Sequence, residues 1–288
     1  MNSAQYWQER LKELKEGVSI STEEKLNRYI AIYQNTWKEI TDNIKELSFK
    51  IEGGNYTRSE WYKYNRMLKL EKEIHRLMNE LVKKEIQFTK DIVKESYESA
   101  LKELYKDFSI EFDTINKNVV DSIVNNPWAG QYFSKRIWNN IRNFEFVLND
   151  ILVRGINQGK SIAQITEELK LATSKTKSQC ERLVRTEVMQ ALNRAAIDTY
   201  TKINIKYVQR VETVDMRICS ECLKAHGKIY KLGSEPHLPS HPRCRGTYIP
   251  VVDGATNNEY KELAEKQRKE LKEKLRIEKE KQNLIEEK

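Results

Sequence analysis

The chain has 288 residues, of which 33% are charged and 39% hydrophobic, and its formal net charge is +8. With only 10 glycines and 5 prolines, this composition is typical of long, solvent-exposed helices rather than of a β-sandwich or a barrel. No run of about 18 apolar residues occurs, so we expect no membrane-spanning segment.

Residues 1–124 are predicted to form helical arms or a bundle. Apolar residues recur there at three- and four-residue steps, as in Leu26, Tyr29, Ile30, Tyr33 and Trp37. Ser21 and Glu24 have the spacing of a capping box and predict a helix start at this point. The start of the chain carries acidic residues and no apolar stretch, so we expect no secretion signal and a reducing cytoplasm.

Residues 125–254 are predicted to form a compact domain that begins at a helix-breaking Asn-Asn-Pro segment. Within it, residues 159–184 have the pattern of a helix-turn-helix, a motif that binds DNA. Any corner between two helices gives the same pattern, and Glu181 and Glu187 place acidic charge on the second helix. Structural packing is therefore the favoured interpretation, and Cys180 is predicted to behave as a small hydrophobic residue.

Alternating apolar residues predict three short strands, at 206–214, 228–230 and 247–252. The positive charge lies in the same part of the chain, because residues 129–254 carry 20 Lys and Arg against 12 Asp and Glu. Such an excess favours either a polyanionic partner or simple solubility. Residues 255–288 are predicted to form a charged helix that is solvated or depends on a partner for its order.

Two ligand pairs lie between these strands, Cys219-x2-Cys222 and His241-x2-Cys244. Four such ligands can converge tetrahedrally on one Zn2+ ion. Few cysteines and no export signal favour metal ligation over a disulfide framework. A site with four protein ligands has no open position, so the predicted zinc is structural and would stabilise a β module too short for a core of its own.

The identity of the fourth ligand is open between three histidines. His226 and His237 are alternatives, but His241 is preferred because its spacing to Cys244 mirrors the first pair. A catalytic metal is disfavoured, since a zinc deaminase requires a glutamate two residues after its histidine ligand and a Pro-Cys-x-x-Cys pair after that. A histidine-based nuclease is also disfavoured, because no carboxylate cluster accompanies these histidines. No phosphate-binding glycine loop or HExxH motif occurs.

The order of motifs from Trp128 to Pro250 resembles the Mu F-like head morphogenesis family, the minor head proteins of tailed bacteriophages. The motifs that carry this resemblance are Trp128-Ala-Gly130, FSKRIW at 133–138, RGINQGKS at 154–161, LVRTE at 183–187, DMRICSECLKAHGKIY at 215–230 and PSHPRCRG at 239–246. The family usually ends this block with Cys-Arg-Cys, whereas this chain has Gly246 in the last position. A ligand set that uses that last cysteine is therefore excluded, and Cys244 is the remaining thiol.

The resemblance implies a non-enzymatic assembly protein that associates with the phage portal and other procapsid proteins. It implies a location in the virion, inside the capsid at the portal vertex, after assembly in the host cytoplasm. Some relatives carry a fused toxin or enzyme domain, for which we expect no room in the 34 residues after residue 254. The alternatives are a zinc-containing nucleic-acid-binding protein and, with less support, a metal-dependent nuclease or toxin domain.

Further roles are predicted for polar residues near the motifs. Arg185 and Glu187 are expected to form a buried ion pair, and Asp215 and Arg217 to orient the first ligand pair. Weak, sequence-independent contact with packaged double-stranded DNA is predicted for Lys175, Lys177 and Arg182, together with Arg185. The alternative is that these lysines are merely solvated.

Overall fold

The computed structural model describes residues 2–52, 66–111, 122, 131–158, 160, 162–252 and 257–286. Within this part of the chain the helices are α1 (Ser3–Glu52), α2 (Arg66–Asp107), α3 (Phe133–Asn157), α4 (Ile162–Lys202), α5 (Ser220–Ala225) and α6 (Asn257–Glu286). The strands are β1 (Tyr207–Val211), β2 (Ile229–Lys231) and β3 (Thr247–Val251). The predicted fold class, mainly α with a small β module, is confirmed.

The chain divides into two compact units. Unit 1 comprises Met1–Ser21, Val93–Ile123 and Arg185–Lys288, and unit 2 comprises Thr22–Ile92 and Val124–Val184. Helices α1, α2 and α4 each contribute residues to both units. The predicted domain boundaries after residues 124 and 254 lie outside the described residues and stay predictions.

Helix α1 begins at Ser3, so the predicted start at Ser21 is wrong. The Asn2 side chain accepts a hydrogen bond from the Gln5 backbone N–H (2.9 Å), and the Gln5 side chain accepts one from the Asn2 N–H (3.0 Å). This reciprocal pair is a capping box. The helix continues past Ser21 because the first 18 residues already supply a buried apolar stripe in unit 1: Ala4, Trp7, Leu11, Leu14 and Val18.

Helix α4 is one continuous helix of 41 residues, so residues 162–184 contain no turn. The helix-turn-helix alternative is therefore excluded over these residues, which leaves structural packing, the favoured interpretation. The predicted Ser161 cap of this helix lies outside the described residues.

The sheet has the order β2-β1-β3, with both pairs antiparallel. All three predicted strands are confirmed. Val208 in the central strand faces Tyr230 on one side and Pro250 on the other. Pro250 is tolerated because β3 is an edge strand, where one side of the backbone needs no partner.

Helix α6 packs against the β module of unit 1 rather than extending fully solvated from it. Tyr260, Ala264 and Leu271 are buried, and the Tyr260 hydroxyl donates to the Pro250 carbonyl (3.1 Å). Gly227 lies beneath this helix with φ +82°, where a Cβ atom would approach the Ala264 Cβ to 2.3 Å. The predicted helix is confirmed, but the expectation that it is simply solvated is wrong for its first half.

Candidate metal centre

The first ligand pair is positioned by the short helix α5. Cys219 is the N-cap residue of this helix, and its Sγ accepts a hydrogen bond from the Cys222 backbone N–H (3.3 Å). The cap places the exposed Cys219 and the buried Cys222 one turn apart on the same side of the helix. The Cys-x2-Cys spacing thus folds into a thiol pair.

The second ligand pair lies in a tight turn before β3. The Cys244 N–H donates to the His241 carbonyl (3.0 Å), and Arg243 between them has φ +63°. The Arg243 N–H donates to the Thr186 hydroxyl of helix α4 (3.3 Å). Helix α4 therefore supports the backbone conformation that points His241 toward the first pair.

His241 is oriented for ligation through Nε2. Its Nδ1 lies 3.0 Å from the Pro242 carbonyl, which can only accept, so Nδ1 carries the proton. Its Nε2 lies 3.4 Å from Cys219 Sγ and 3.1 Å from Cys222 Sγ. A tetrahedral zinc with standard bond lengths separates sulfur and nitrogen ligands by about 3.6 Å, so the three groups are close to ligand spacing.

Among the described residues, two groups of possible donors share Cys222. One is Cys219, Cys222 and His241, and the other is Glu212, Cys222 and Cys244. Within each group the donor atoms lie within 4.8 Å of one another. The structure thus brings three of the four predicted ligands together directly and places the fourth, Cys244, next to the shared thiol.

The protonation chemistry of the centre differs between its members. The pKa of Cys219 lies below its ordinary value. Partial burial raises this pKa, but the hydrogen bond from the Cys222 N–H and the interactions with the Cys222 and His241 side chains lower it by more. Burial and the nearby Glu212 carboxylate raise the pKa of Cys222. The hydrogen bond to Pro242 O and the Cys219 thiol raise the pKa of His241.

The other two histidines lie outside both donor groups. His226 is fully buried; its Nδ1 accepts from the Glu212 N–H (3.0 Å), and its Nε2 lies 2.8 Å from the Gln267 side-chain oxygen. Burial lowers the pKa of His226 to about 4, so it stays neutral. His226 therefore braces the module, and His237 is exposed.

A buried ion pair that the sequence analysis did not identify lies directly beside the thiols. Arg210 and Glu212, each 5% exposed, are joined at 2.6 Å, and Arg210 also donates to Cys222 Sγ (3.7 Å). A Cβ atom at position 246 would lie 2.5 Å from a Glu212 carboxylate oxygen. Gly246, the departure from the family pattern, thus makes room for Glu212.

Asp215 pairs with Arg245 rather than with a ligand. The Arg245 guanidinium donates two hydrogen bonds of 2.6 Å to the carboxylate, and they lower the pKa of Asp215 to about 2. Arg217 is mostly exposed, with its guanidinium 3.5 Å from Asp215. The Asp215–Arg245 pair joins the loop before the first ligand pair to the residue after Cys244, so Asp215 holds the two pairs together.

The remaining predicted residues lie on helix α4. Thr186 and Glu187 are buried, but Arg185 is exposed. The prediction that Arg185 and Glu187 form a buried ion pair is therefore wrong for Arg185, because only Glu187 lies inside the fold. In unit 2, Lys175 and Arg182 are exposed, and Lys177 lies 3.9 Å from Glu181. Cys180 is buried, as predicted.

Fold and site together define a mainly helical protein with a small, thiol-rich β module. Residues 147–249, which contain the candidate centre and most of the sheet, match the family described as Phage Mu protein F like protein. The resemblance seen in the motifs is thereby confirmed, and the assignment indicates a bacteriophage head morphogenesis protein. Among the described helices, none combines the length and apolar content needed to cross a membrane.

One curated relative is the NAD(+)--arginine ADP-ribosyltransferase EFV of Enterococcus faecalis, which is 26% identical over 184 residues. The match covers 56% of this chain and 38% of the relative, so the chain spans well under half of that protein's length. No solved structure matches the chain.

Proposed function

We propose that the protein is a minor component of the bacteriophage head that associates with the portal protein and enters the procapsid with other capsid proteins. The observation that supports this proposal is the family match over residues 147–249. The chain then acts as an assembly protein and not as an enzyme. The ADP-ribosyltransferase activity named for the Enterococcus relative is not carried over, because 38% of that protein is aligned.

The candidate centre has a structural role in this proposal. Cys219, Cys222, His241 and Cys244 bind one zinc ion, which fixes the loop before β3 to helix α5. The proximity of the first three side chains and the Nε2 orientation of His241 support this assignment. Elemental analysis of protein purified without chelator tests it, with about one zinc per chain expected.

We predict that the portal contacts helix α3. Phe146 is 74% exposed, and the exposed Trp138 lies under the Arg142 guanidinium, 4.9 Å from the ring centroid. Exposed aromatic and arginine side chains are the types that dominate binding energy at interfaces. The alternative docking surface is the helical arms, residues 1–124, where exposed apolar side chains include Ile20 and Leu68.

The test is capture of the full chain by a co-expressed cognate portal. A double variant, Trp138→Ser with Phe146→Ser, is expected to weaken capture by about tenfold or more. The matched variant Ile20→Ser with Leu68→Ser is expected to be captured like the unmodified chain. If only the Ile20→Ser, Leu68→Ser variant loses capture, the portal binds the arms. If both variants are captured fully, neither surface is the docking site.

We also predict weak, sequence-independent DNA binding through helix α4. Each neutralised phosphate releases counterions, so log K falls linearly with log salt, with a slope on the order of −3 to −6 for a few contacts. Lys175→Gln with Arg182→Gln is expected to make this slope shallower by about 1–2. Lys177→Gln is expected to change the slope less, because the Lys177 ammonium lies 3.9 Å from the Glu181 carboxylate.

Fluorescence titration of duplex DNA across a salt series measures these slopes. Absence of binding at low salt would remove the DNA role. A preference for base sequence would instead favour a nucleic-acid-binding protein outside the phage head.

A further inference from the structure

Unit 1 contains a cavity of about 800 Å3 beside the β module. Its apolar lining is supplied by Met189, Val211, Val214 and Leu271, and Lys15 of helix α1 lies in its wall. The exposed rim carries charges of both signs, namely Glu9, Lys12, Glu16, Arg217, Glu270 and Lys274. Ligand-binding cavities have volumes of about 300–1,000 Å3, and this cavity falls in that range, although most of the residues that line it are polar or charged.

The Lys15 ammonium is a partly buried cation in this wall whose hydrogen bonds go to neutral groups. It donates to the Thr213 hydroxyl (3.4 Å) and the Arg245 backbone carbonyl (3.3 Å). Burial lowers the pKa of Lys15 to about 8. A buried ammonium is costly unless it is paired with an anion, so an anionic group in the cavity would be bound favourably.

The Glu212 and Glu16 carboxylates both favour the charged form of Lys15 and raise its pKa against the effect of burial, but the two inner carboxylates of the wall are hydrogen-bonded to arginines. Glu212 is joined to Arg210 at 2.6 Å, and Asp215 receives two hydrogen bonds of 2.6 Å from Arg245. At the rim, Lys12 lies 3.3 Å from Glu9. An incoming carboxylate would therefore meet, at Lys15, an ammonium that donates its hydrogen bonds to neutral oxygens.

We propose that this cavity binds a carboxylate carried on an apolar body, with the carboxylate paired to Lys15 and the apolar part on Met189, Val214 and Leu271. The carboxylate belongs either to a small organic acid or to an acidic side chain of a peptide segment. The site adjoins the candidate metal centre, because Glu212 lines the cavity and also belongs to one donor group. The proposal does not depend on the portal or DNA roles.

Calorimetric titration of the full chain with hexanoate tests the site, with 1-hexanol as the uncharged probe of the same chain length. We expect hexanoate to bind about tenfold or more tightly than 1-hexanol, because hydrogen bonds to charged groups are the strong ones. Lys15→Met should remove this preference, Lys15→Arg should retain part of it, and Lys12→Met at the rim should leave it unchanged. Equal affinity for the two probes, or a preference that survives Lys15→Met, overturns the proposal.

A second titration distinguishes the two sources of the carboxylate. The probes are a capped Leu-Glu-Leu tripeptide and its Leu-Gln-Leu counterpart. Tighter binding of the glutamate peptide than of hexanoate assigns the cavity to a peptide segment, and the reverse order assigns it to a small acid. Protection of Lys15 from acetylation by the bound probe, read by peptide mass spectrometry, locates the site; binding of either probe without this protection contradicts it.

Discussion

Replacing Cys222 by serine is expected to abolish zinc binding and to lower the free energy of unfolding by about 3–5 kcal/mol. Cys222 is 3% exposed and belongs to both donor groups of the centre, so no neighbouring thiol can take its place. A serine hydroxyl is a poor zinc ligand at neutral pH, and the free energy of metal binding is also free energy of folding. Elemental analysis and urea denaturation of the purified variant measure the two effects.

The matched control is His226→Gln, in the same module but outside both donor groups. We expect this variant to retain zinc and yet to lose stability, because His226 is buried and hydrogen-bonded at both ring nitrogens. A chelator should lower the stability of the unmodified chain toward that of Cys222→Ser. Metal-free protein with an unchanged unfolding transition would contradict the zinc proposal, and metal loss in His226→Gln would mean that the ligand set is wrong.

The sequence predicts the parts of the module that depend on short-range spacing. Alternation gave the three strands, and two pairs at i, i+3 brought Cys219, Cys222 and His241 to one place. The pairing of Asp215 with Arg245 joins residues 30 positions apart, and no local pattern specifies such a contact. Its existence follows from the sheet topology, which places the two loops side by side.

The sequence predicts only part of the arrangement of Arg210 and Glu212. Alternate residues of a strand share a face, so the sequence indicates that these two side chains are neighbours. It does not indicate that they are buried, because exposed strands carry the same pattern. Their burial depends on Gly246, which leaves space for the carboxylate only after β3 has paired with β1.

In helix α2, within unit 2, the sequence again predicts the position of a buried charged residue but not its partners. Buried apolar residues recur along it at Ile74, Met78, Leu81 and Ile92, and Glu85 falls on the same stripe. A carboxyl group at a core position must find hydrogen-bond partners or stay protonated. Periodicity alone locates Glu85, but only the packed structure identifies its partners.

Those partners are supplied by helices α1 and α4. The Tyr33 hydroxyl of α1 donates to Glu85 Oε2, and the buried Cys180 thiol of α4 is also hydrogen-bonded to this carboxyl group. The hydroxyls of Tyr29 on α1 and Thr89 on α2 are also buried, and Tyr29 is close enough to interact electrostatically with Glu85. The groups that face Glu85 are therefore neutral in their ordinary forms, and burial raises the pKa of Glu85 from 4.5 to about 7.

This arrangement predicts that the stability of unit 2 falls as the pH rises. A carboxyl group whose pKa is higher in the folded state stabilises the fold fully below pH 4.5 and loses that contribution up to about pH 7. The shift corresponds to a decrease of about 3 kcal/mol in the free energy of unfolding across this window. Glu85→Gln mimics the protonated acid, so this variant should match the unmodified chain at pH 4.5 and exceed its stability by about 3 kcal/mol at pH 8.

Urea denaturation at a series of pH values measures the difference between the two proteins, which cancels the titration of all other groups. Glu24→Gln, at an exposed position of α1, is the control, and its stability should follow that of the unmodified chain at every pH. A constant difference between Glu85→Gln and the unmodified chain from pH 4.5 to 8 would show that Glu85 titrates normally. In that case water or a cation must reach the carboxylate, since a dry, uncompensated charge at this position would raise its pKa.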